Sequence, residues 1–407
     1  MKGFQKLTPV EEALRLFFQA LPPRKPEKVS VSASSALNRV TTESLVAPTD
    51  LPRFDRSAVD GYAVRAKDTV GASQPKPRVL RLVDGDAVKS GEAGQIWTGN
   101  TVPEGTDAVV MLENTRRLKG KVEVWVQVTP GENVSERGED VKKGKTAIKA
   151  GVYLRPWHLG LLAALGITEL DVVKKPKVAL MSSGNELVEP GQRPKKGQLF
   201  DANKVMLSSL CSELGAEPLD LGIARDDPGD IESRLRRGLE EGDAVVTSGG
   251  TSVGGMDLLP EVVNRMGQPG VIVHGVAMRP GMPTALAVVK EKPVLILPGN
   301  PVAVMFGFEV FGRPLIGRLM GVGQALQRLE LRAEVTRRVT TALGRKNFVR
   351  VNVLERDGRL FAAPISAKGS SMISTLTRAN GYVVVPEDRE GLEAGEMVPV
   401  KMMGNHM

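Results

Sequence analysis

The chain has 407 residues, of which 41% are hydrophobic and 4% aromatic, and its formal net charge is +8. This length allows roughly two to four domains with aliphatic cores. One cysteine and three histidines exclude a disulfide framework and a cysteine- or histidine-rich zinc site, so any metal is expected to be a hard cation bound by oxygens.

No apolar run reaches the roughly 18 residues that span a bilayer, and residues 1–6 lack the apolar core of a signal peptide. We therefore expect a cytoplasmic protein that does not bind membranes. The positive charge is compatible with an ordinary charged surface or with a preference for polyanionic ligands. Its basic clusters are short and lack interleaved aromatic residues, so nucleic acid is not an expected partner.

The first predicted element is a helix that starts near Thr8-Pro9-Val10-Glu11, which matches a capping box with proline at the first helical position. Helical spacing follows at Val10, Ala13, Leu14, Phe17 and Phe18. From Val29 to about Gly151 the pattern changes to short β-like runs between turns. Pro156–Leu165 then predicts a short helix. Residues 1–175 are thus interpreted as an N-terminal region with a β-rich insertion at about 50–145.

Strands and helices alternate between Pro176 and about Gly321. The predicted strands are Lys177–Met181, Pro218–Ile223, Ala244–Thr247, Val271–Val273, Ala285–Val289 and Val294–Leu297. The predicted helices are Asn203–Leu214, Gly229–Glu241, Leu258–Met266 and Val302–Met320. This alternation predicts a multidomain α/β plus β chain whose central domain, 176–325, has a mostly parallel sheet covered on both faces.

The last segment, 326–407, alternates polar and apolar residues with period two. Val349, Val351 and Val353 point one way, and Asp357-Gly358 supplies a hairpin turn. A small antiparallel β domain or C-terminal β-barrel is predicted.

The densest candidate site is the glycine-rich string Thr247–Asp257, which follows a predicted buried strand. Its candidate ligand-binding residues are Ser248, Gly249, Gly250, Ser252 and Gly254. Glycines allow backbone amides to approach an anion, and Asp257 could coordinate a divalent cation. A flexible turn is the alternative interpretation.

Two further strand ends carry similar residues. One holds Ser183, Gly184 and Glu186, and the other holds Pro298, Gly299 and Asn300. Either alone is an ordinary turn. Ligands of open α/β sheets bind where the carboxyl ends of strands meet, so three such ends in one sheet favour a pocket.

Other loops add charged residues. Arg279, in Ala277–Pro283, could pair with phosphate or another oxyanion through its planar fork, or be a surface arginine. Asp227 precedes Pro228 and is expected to cap a helix, which leaves Asp226 freer to face a ligand. Asp60 and Thr98 lie in polar turns. Such turns either bind a ligand or are ordinary turns whose polar side chains cap the backbone. Because no nucleophile–base pair is evident, the sequence indicates electrostatic catalysis by carboxylates, a metal and cations.

These strings together resemble the molybdopterin molybdenumtransferase (MoeA) family, which includes the gephyrin E domain. Residues Phe54–Ala63 look like the family's D-x-S-A-x-D-G-Y-A signature, and Thr98-Gly99 looks like its T-G-A turn. Three more of its motifs have counterparts in the central domain: Ser183–Leu187, Ser248–Asp257 and Pro298–Pro301. The five motifs occur in the family's order over nearly the whole chain.

The resemblance implies an elongated protomer with a MogA-like central domain, and a homodimer with sites near its interface. It implies that adenylyl-molybdopterin and molybdate give molybdenum cofactor and AMP, with Mg²⁺ as cofactor. It also implies a functional polar set, namely Asp60, Thr98, Glu186, Asp226 and Asp257. In our interpretation Asp257, with Glu186 or Asp226, holds magnesium. Arg350 and Ser371 match positions where the family has the same residues.

One departure concerns the loop that commonly reads K-P-G-K-P in the family, where this chain has Arg279 and Met282. This difference leaves tungstate open as an alternative to molybdate. The alternative functions are those of the pathway's adenylyltransferase, a gephyrin-like scaffold and a nucleic-acid binder. The adenylyltransferase is also a candidate partner of this protein. The adenylyltransferase needs neither the N-terminal half nor the barrel, and a pure scaffold needs no polar site.

Overall fold

A computed structural model describes residues 7–23, 26–250, 258–322, 326–365 and 369–404. The chain forms two compact units. One unit is Val29–Val172, and the other joins the segment up to Lys28 with the residues from Val173 onward. None of the helices in these described ranges is long and apolar enough to cross a membrane.

The unit Val29–Val172 is built around a six-stranded sheet. In spatial order its strands are Ala108–Met111, Gly61–Val64, Glu92–Ile96, Arg78–Val83, Lys121–Val124 and Thr115–Leu118. All neighbours are antiparallel except Arg78–Val83 and Glu92–Ile96. Tyr62 and Leu80 are buried in its core. The predicted β-rich N-terminal insertion is confirmed.

Shorter elements complete this unit. Its other strands are Lys28–Ser32, Leu45–Val46, Arg56–Ser57, Val134–Ser135, Thr146–Ile148 and Glu169–Val173. Its helices are Pro156–Ala164 and the 3₁₀ turns Ala33–Ser35, Ala66–Thr69 and Leu112–Asn114. Pro156 opens its helix, as the sequence predicts.

The larger unit contains a second six-stranded sheet, which is flanked by helices. In order its strands are Glu217–Ala224, Lys177–Ser183, Ala244–Ser248, Lys292–Leu297, Ala285–Val289 and Pro269–His274. The first four are parallel, and the last two join antiparallel. Ala202–Glu213 packs with Pro301–Gly307, and Pro228–Glu241 packs with Leu258–Met266. The predicted mostly parallel α/β domain is confirmed.

The N-terminal helix Val10–Ala20 packs on this α/β sheet, against Pro269–His274 and Ala285–Val289. The predicted capping box was wrong, because Pro9 is the N-cap and no side chain caps the helix. Thr8 is extended instead: its amide donates to the Gly275 carbonyl at 3.0 Å, and its carbonyl accepts from the Ala277 amide at 2.8 Å. Strand pairing has overridden the local capping pattern.

The predicted single helix Val302–Met320 is interrupted. Pro301–Gly307 is α-helical, Phe308–Gly312 forms a π-helical turn, and Arg313–Leu319 is α-helical again. Pro314 has no amide hydrogen to donate to the preceding turn, which accounts for the widening just before it.

The C-terminal part is a closed barrel, as predicted. Its strands, in order, are Lys346–Arg356, Arg359–Pro364, Glu330–Val335, Met397–Met402 and Gly381–Val385, and the last pairs with the first. Asp357 and Gly358 have φ of 50° and 73°, which confirms the predicted hairpin turn. Beside the barrel lie the strands Val339–Thr340 and Gly391–Leu392 and the short helix Ser374–Thr377.

Candidate functional site

The parallel strands of the α/β sheet end at one edge, which we call the rim. Ser182 lies opposite Ser248, with 3.0 Å between their hydroxyl oxygens, and Ser248 lies opposite Leu297. The turns that follow these strands are therefore neighbours. They carry Ser183 and Gly184 on one strand end and Pro298 on another, so the structure brings these predicted residues together.

The glycine-rich turn packs too closely against its neighbours for any side chain. A Cβ at Gly249 would lie 2.2 Å from the Ser183 carbonyl oxygen, and one at Gly250 would lie 2.6 Å from Leu259. Both glycines have positive φ, 90° and 66°. The Gly249 amide donates to the Leu297 carbonyl at 3.0 Å. That amide is used within the rim, and the assignment of Gly249 and Gly250 to ligand binding stays a prediction.

Two carboxylates lie at the turn that starts at Ser183. Asp226 accepts from the Ser183 hydroxyl at 3.3 Å and from the Asn185 amide at 3.2 Å. The carboxylate of Glu186 folds back over Gly184, where a Cβ would meet it at 2.6 Å. Asp227 caps the helix Pro228–Glu241 by accepting from the Asp230 amide at 2.9 Å, as predicted. The structure thus separates a capping aspartate from one that faces the rim.

Three residues of the predicted glycine-rich motif, Ser252, Gly254 and Asp257, lie outside the described residues. Within the described part of the chain, no group of three or more histidine, cysteine, aspartate or glutamate side chains could hold a metal ion. The sequence-based assignment of Asp226, Glu186 and Asp257 to a magnesium ion therefore stays a prediction.

Beside the rim is a cleft of about 940 Å³, which we call the cationic cleft. Four of its lining residues were predicted from sequence: Arg279, Pro298, Asn300 and Arg350. Arg337, Arg338 and Arg345 also line it, and its described lining contains no carboxylate. Five arginines around one cavity create a strongly positive potential.

The fold explains why Arg279 and Arg350 meet. Met278–Arg279 leaves the α/β part and pairs in parallel with the barrel strand that starts at Lys346, so that Arg279 lies opposite Asn347. Arg350 is three residues further along the same strand. Val349 and Val351 point into the barrel core, so alternation places Arg350 on the outer face.

Arg350 carries the clearest sign of a ligand. Its Nε and Nη1 atoms are buried and have no hydrogen-bond partner among the described residues. Burial lowers the pKa of its guanidinium from the ordinary value, yet arginine stays charged at neutral pH. Because buried charged donors without partners are costly, this one is expected to bind an anion.

Sequence reasoning missed several residues of the site. Arg337, Arg338 and Arg345 come from loops beside the barrel, and only their local positive charge signals them. Asn203 donates from Nδ2 to the Gly299 carbonyl at 2.7 Å and so fixes the rim turn. Ser371 is exposed, and the cleft lining includes the preceding Ser370.

The predicted pair Asp60 and Thr98 lies in the other unit. The Thr98 amide and hydroxyl both donate to Asp60 Oδ1, at 2.8 and 2.7 Å. These bonds, led by the one from the backbone amide, hold the pKa of Asp60 below its ordinary value. The pair is therefore a preformed anionic turn within its own unit.

Three family models match the chain. "MoeA N-terminal region (domain I and II)" matches residues 8–166, "Probable molybdopterin binding domain" matches residues 179–318, and "MoeA C-terminal region (domain IV)" matches residues 332–402. Together they span most of both units.

Whole-chain relatives agree with these matches. A molybdopterin biosynthesis protein of Methanocaldococcus jannaschii is 38% identical, over 99% of this chain and 100% of its own length. The molybdopterin molybdenumtransferase of Haemophilus influenzae is 33% identical, over 93% and 94%. The crystal structure of a molybdopterin biosynthesis MoeA protein from Pyrococcus horikoshii superposes with a TM-score of 0.82 at 32% identity, covering 98% of this chain and 100% of that one.

Proposed function

Because the chain belongs to the MoeA family of molybdopterin molybdenumtransferases, which makes it a transferase of molybdenum cofactor biosynthesis, we propose that it inserts molybdate into adenylyl-molybdopterin and releases AMP. The observation that carries this proposal is that a cleft lined by arginines adjoins a strand edge that carries carboxylates. The cationic cleft shares Pro298 and Asn300 with the rim, where Asp226 and Glu186 lie.

The cationic cleft is proposed to bind molybdate. A tetrahedral dianion offers acceptor oxygens on all sides, and arginine forks match such oxygens. Arg350 supplies buried donors that need an acceptor, and Arg279 lies on the neighbouring strand. Met282, which stands where the family commonly has lysine, also lines the cleft. Arg337, Arg338 and Arg345 supply positive charge in the same cleft.

The rim is proposed to bind the phosphate-bearing end of adenylyl-molybdopterin and Mg²⁺. Oxygen ligands suit this ion, which keeps several waters and needs only one or two carboxylates. Asp226 and Glu186 fit that description, and Asp257 is proposed as their partner. Magnesium bound there would polarise the phosphoanhydride for attack by water, which gives AMP and leaves the other phosphate on molybdopterin. The protein's part is to hold both substrates side by side.

The decisive experiment follows AMP release by the purified full-length protein with adenylyl-molybdopterin and magnesium. We expect AMP to appear only when molybdate is added, with molybdenum cofactor as the second product. Consumption of ATP with free molybdopterin would instead mean that this protein is itself an adenylyltransferase. We propose that a separate adenylyltransferase supplies its substrate. Release of AMP at the same rate without molybdate contradicts the proposed insertion.

We also propose that the protein is a homodimer that uses an exposed apolar face. Leu199, Phe200 and Val205 are 62%, 49% and 54% exposed, and Met372 and Ile373 are exposed beside them. Phe200, Val205 and Ile373 border a groove of about 690 Å³. Contiguous apolar surface of this kind is typical of interaction sites.

Phe200→Glu is expected to shift the protein from dimer to monomer, because an unpaired charge would be buried in the interface. Analytical ultracentrifugation measures the mass. Leu329→Glu is the matched control, since Leu329 is 66% exposed in the same unit and outside this face. A dimer in both variants, or a monomeric wild type, would contradict the proposal.

A further inference from the structure

Glu309 is a buried carboxylate that the proposed chemistry does not use. Its side chain is 4% exposed. It accepts from Arg313 Nε at 3.0 Å and from Arg328 Nε and Nη2 at 3.1 and 3.2 Å. The hydroxyl of Tyr382 also donates to it, at 3.3 Å. Burial raises the pKa of Tyr382 far above its ordinary value, so this phenol stays a neutral donor.

This cluster joins two parts of the larger unit. Glu309 and Arg313 belong to the interrupted helix that starts at Pro301, immediately after the rim. Tyr382 belongs to the barrel strand Gly381–Val385. Arg328 extends the connection, because its Nη1 donates to the Met403 carbonyl at 2.9 Å, beyond the last barrel strand. The π-helical turn contains Glu309, and such turns often occur at functional sites.

An aromatic trio lies next to the cluster and extends to the cleft. The rings of Phe306 and Phe348 stack with centroids 5.1 Å apart, and Tyr382 meets Phe306 edge-on at 5.3 Å. Phe348 lines the cationic cleft. Tyr382 lies directly opposite Arg350 in the strand register. Tyr382 is thus paired with the strand segment that presents Arg350, and a shift of Tyr382 would act on that segment first.

We propose that Glu309 is a positioning residue, which holds Arg350 in the cationic cleft by fixing Tyr382 against the helix after the rim. The inference rests on the proposed function of that cleft. It differs from a purely stabilising role, because it predicts that the charge of Glu309 controls oxyanion affinity although Glu309 does not line the cleft. Protein interiors are densely packed, so a displacement of Tyr382 is passed to the side chains that contact it.

The test measures molybdate affinity of the full-length protein by calorimetry, and KM and kcat for AMP release. Glu309→Gln keeps the size but removes the buried countercharge of Arg313 and Arg328, which leaves them only the half-exposed Glu213, at 3.9 and 3.3 Å. We expect Kd and KM for molybdate to rise about tenfold while kcat changes by less than about twofold, since a misplacement of about 1 Å is enough for such losses. Tyr382→Phe, which removes only the hydroxyl, is expected to give a smaller rise.

A double-mutant cycle with Arg350→Leu separates positioning from general destabilisation. If Glu309 acts through Arg350, Glu309→Gln causes no further loss of affinity in the Arg350→Leu background. Equal losses in both backgrounds, or wild-type affinity in Glu309→Gln, would overturn the inference. If Glu309→Gln does not fold, the same cycle with Tyr382→Phe decides.

Glu396→Gln serves as the control, because it breaks a bidentate ion pair with Arg389 on the barrel and is expected to leave affinity unchanged. A wild-type protein that binds no molybdate, or an Arg350→Leu variant that binds it normally, overturns the proposed function itself. If only the positioning role of Glu309 is wrong, the wild type still binds molybdate and Arg350→Leu still loses affinity.

Discussion

The Arg350→Leu variant is expected to bind molybdate about 10- to 100-fold more weakly than the wild type, because a hydrogen bond to a charged group contributes ~1.5–3 kcal/mol. Arg350 has two buried nitrogens that lack a partner among the described residues, and it lies in the cationic cleft. An anion there would accept from both. Calorimetric titration with molybdate measures the loss.

The same variant is expected to be no less stable than the wild type when no ligand is present. Two buried guanidinium nitrogens without partners among the described residues oppose folding, and the shorter, uncharged leucine removes that cost. The melting temperature should therefore stay equal or rise while binding falls. A structural arginine would show the reverse, with a lower melting temperature and unchanged affinity.

Arg356→Leu is the matched control for this experiment. Arg356 ends the same strand, is exposed, and does not line the cleft. It is expected to bind molybdate as the wild type does. Equal losses in the two variants would mean that net charge, and not the position of Arg350, governs affinity, and this would remove the main support for the cleft.

Asp226→Asn is expected to lower kcat for AMP release about 100-fold and to leave the molybdate Kd unchanged, because the amide is a weaker magnesium ligand than the carboxylate. Asp226 accepts hydrogen bonds from Ser183 and Asn185 at the rim and does not line the cationic cleft. Initial rates at saturating substrate measure the change, and raising the magnesium concentration is expected to restore part of it.

Asp227→Asn provides a control one residue away. Asp227 caps the helix Pro228–Glu241, and asparagine caps helices about as well as aspartate. This variant should keep the wild-type rate and melting temperature. If Asp227→Asn loses as much activity as Asp226→Asn, the loop as a whole matters, and the separate assignment of the two carboxylates is wrong.

Local sequence patterns predicted most of the fold. Asp227 before Pro228, and Asp357 before Gly358, specify their cap and turn through neighbouring residues alone, and both predictions were confirmed. The order of α/β strands and helices also followed from periodicity. Thr8 shows the limit of such patterns. Its backbone forms an isolated bridge with Val276, which is far away in the sequence, and local capping rules take no account of such a contact.

The candidate site was predictable where it follows strand ends and unpredictable where it depends on register. Ser183 and Pro298 come together because parallel strands end at one edge. Arg337 and Arg345 carry no motif, and only barrel closure places them beside Arg279. The buried partners of Glu309 come from three separate segments, so no sequence window contains the cluster.

The pairing of Met278–Arg279 with the barrel has a consequence for anion choice. The Lys346 amide donates to the Ala277 carbonyl at 2.9 Å, so main-chain hydrogen bonds cross from one fold to the other at the cleft wall. Widening the cleft would break them, which favours an aperture of constant width over closure induced by the ligand. Discrimination among tetrahedral dianions then depends on ionic radius: sulfate, with its shorter bonds, would span the gap less completely than molybdate.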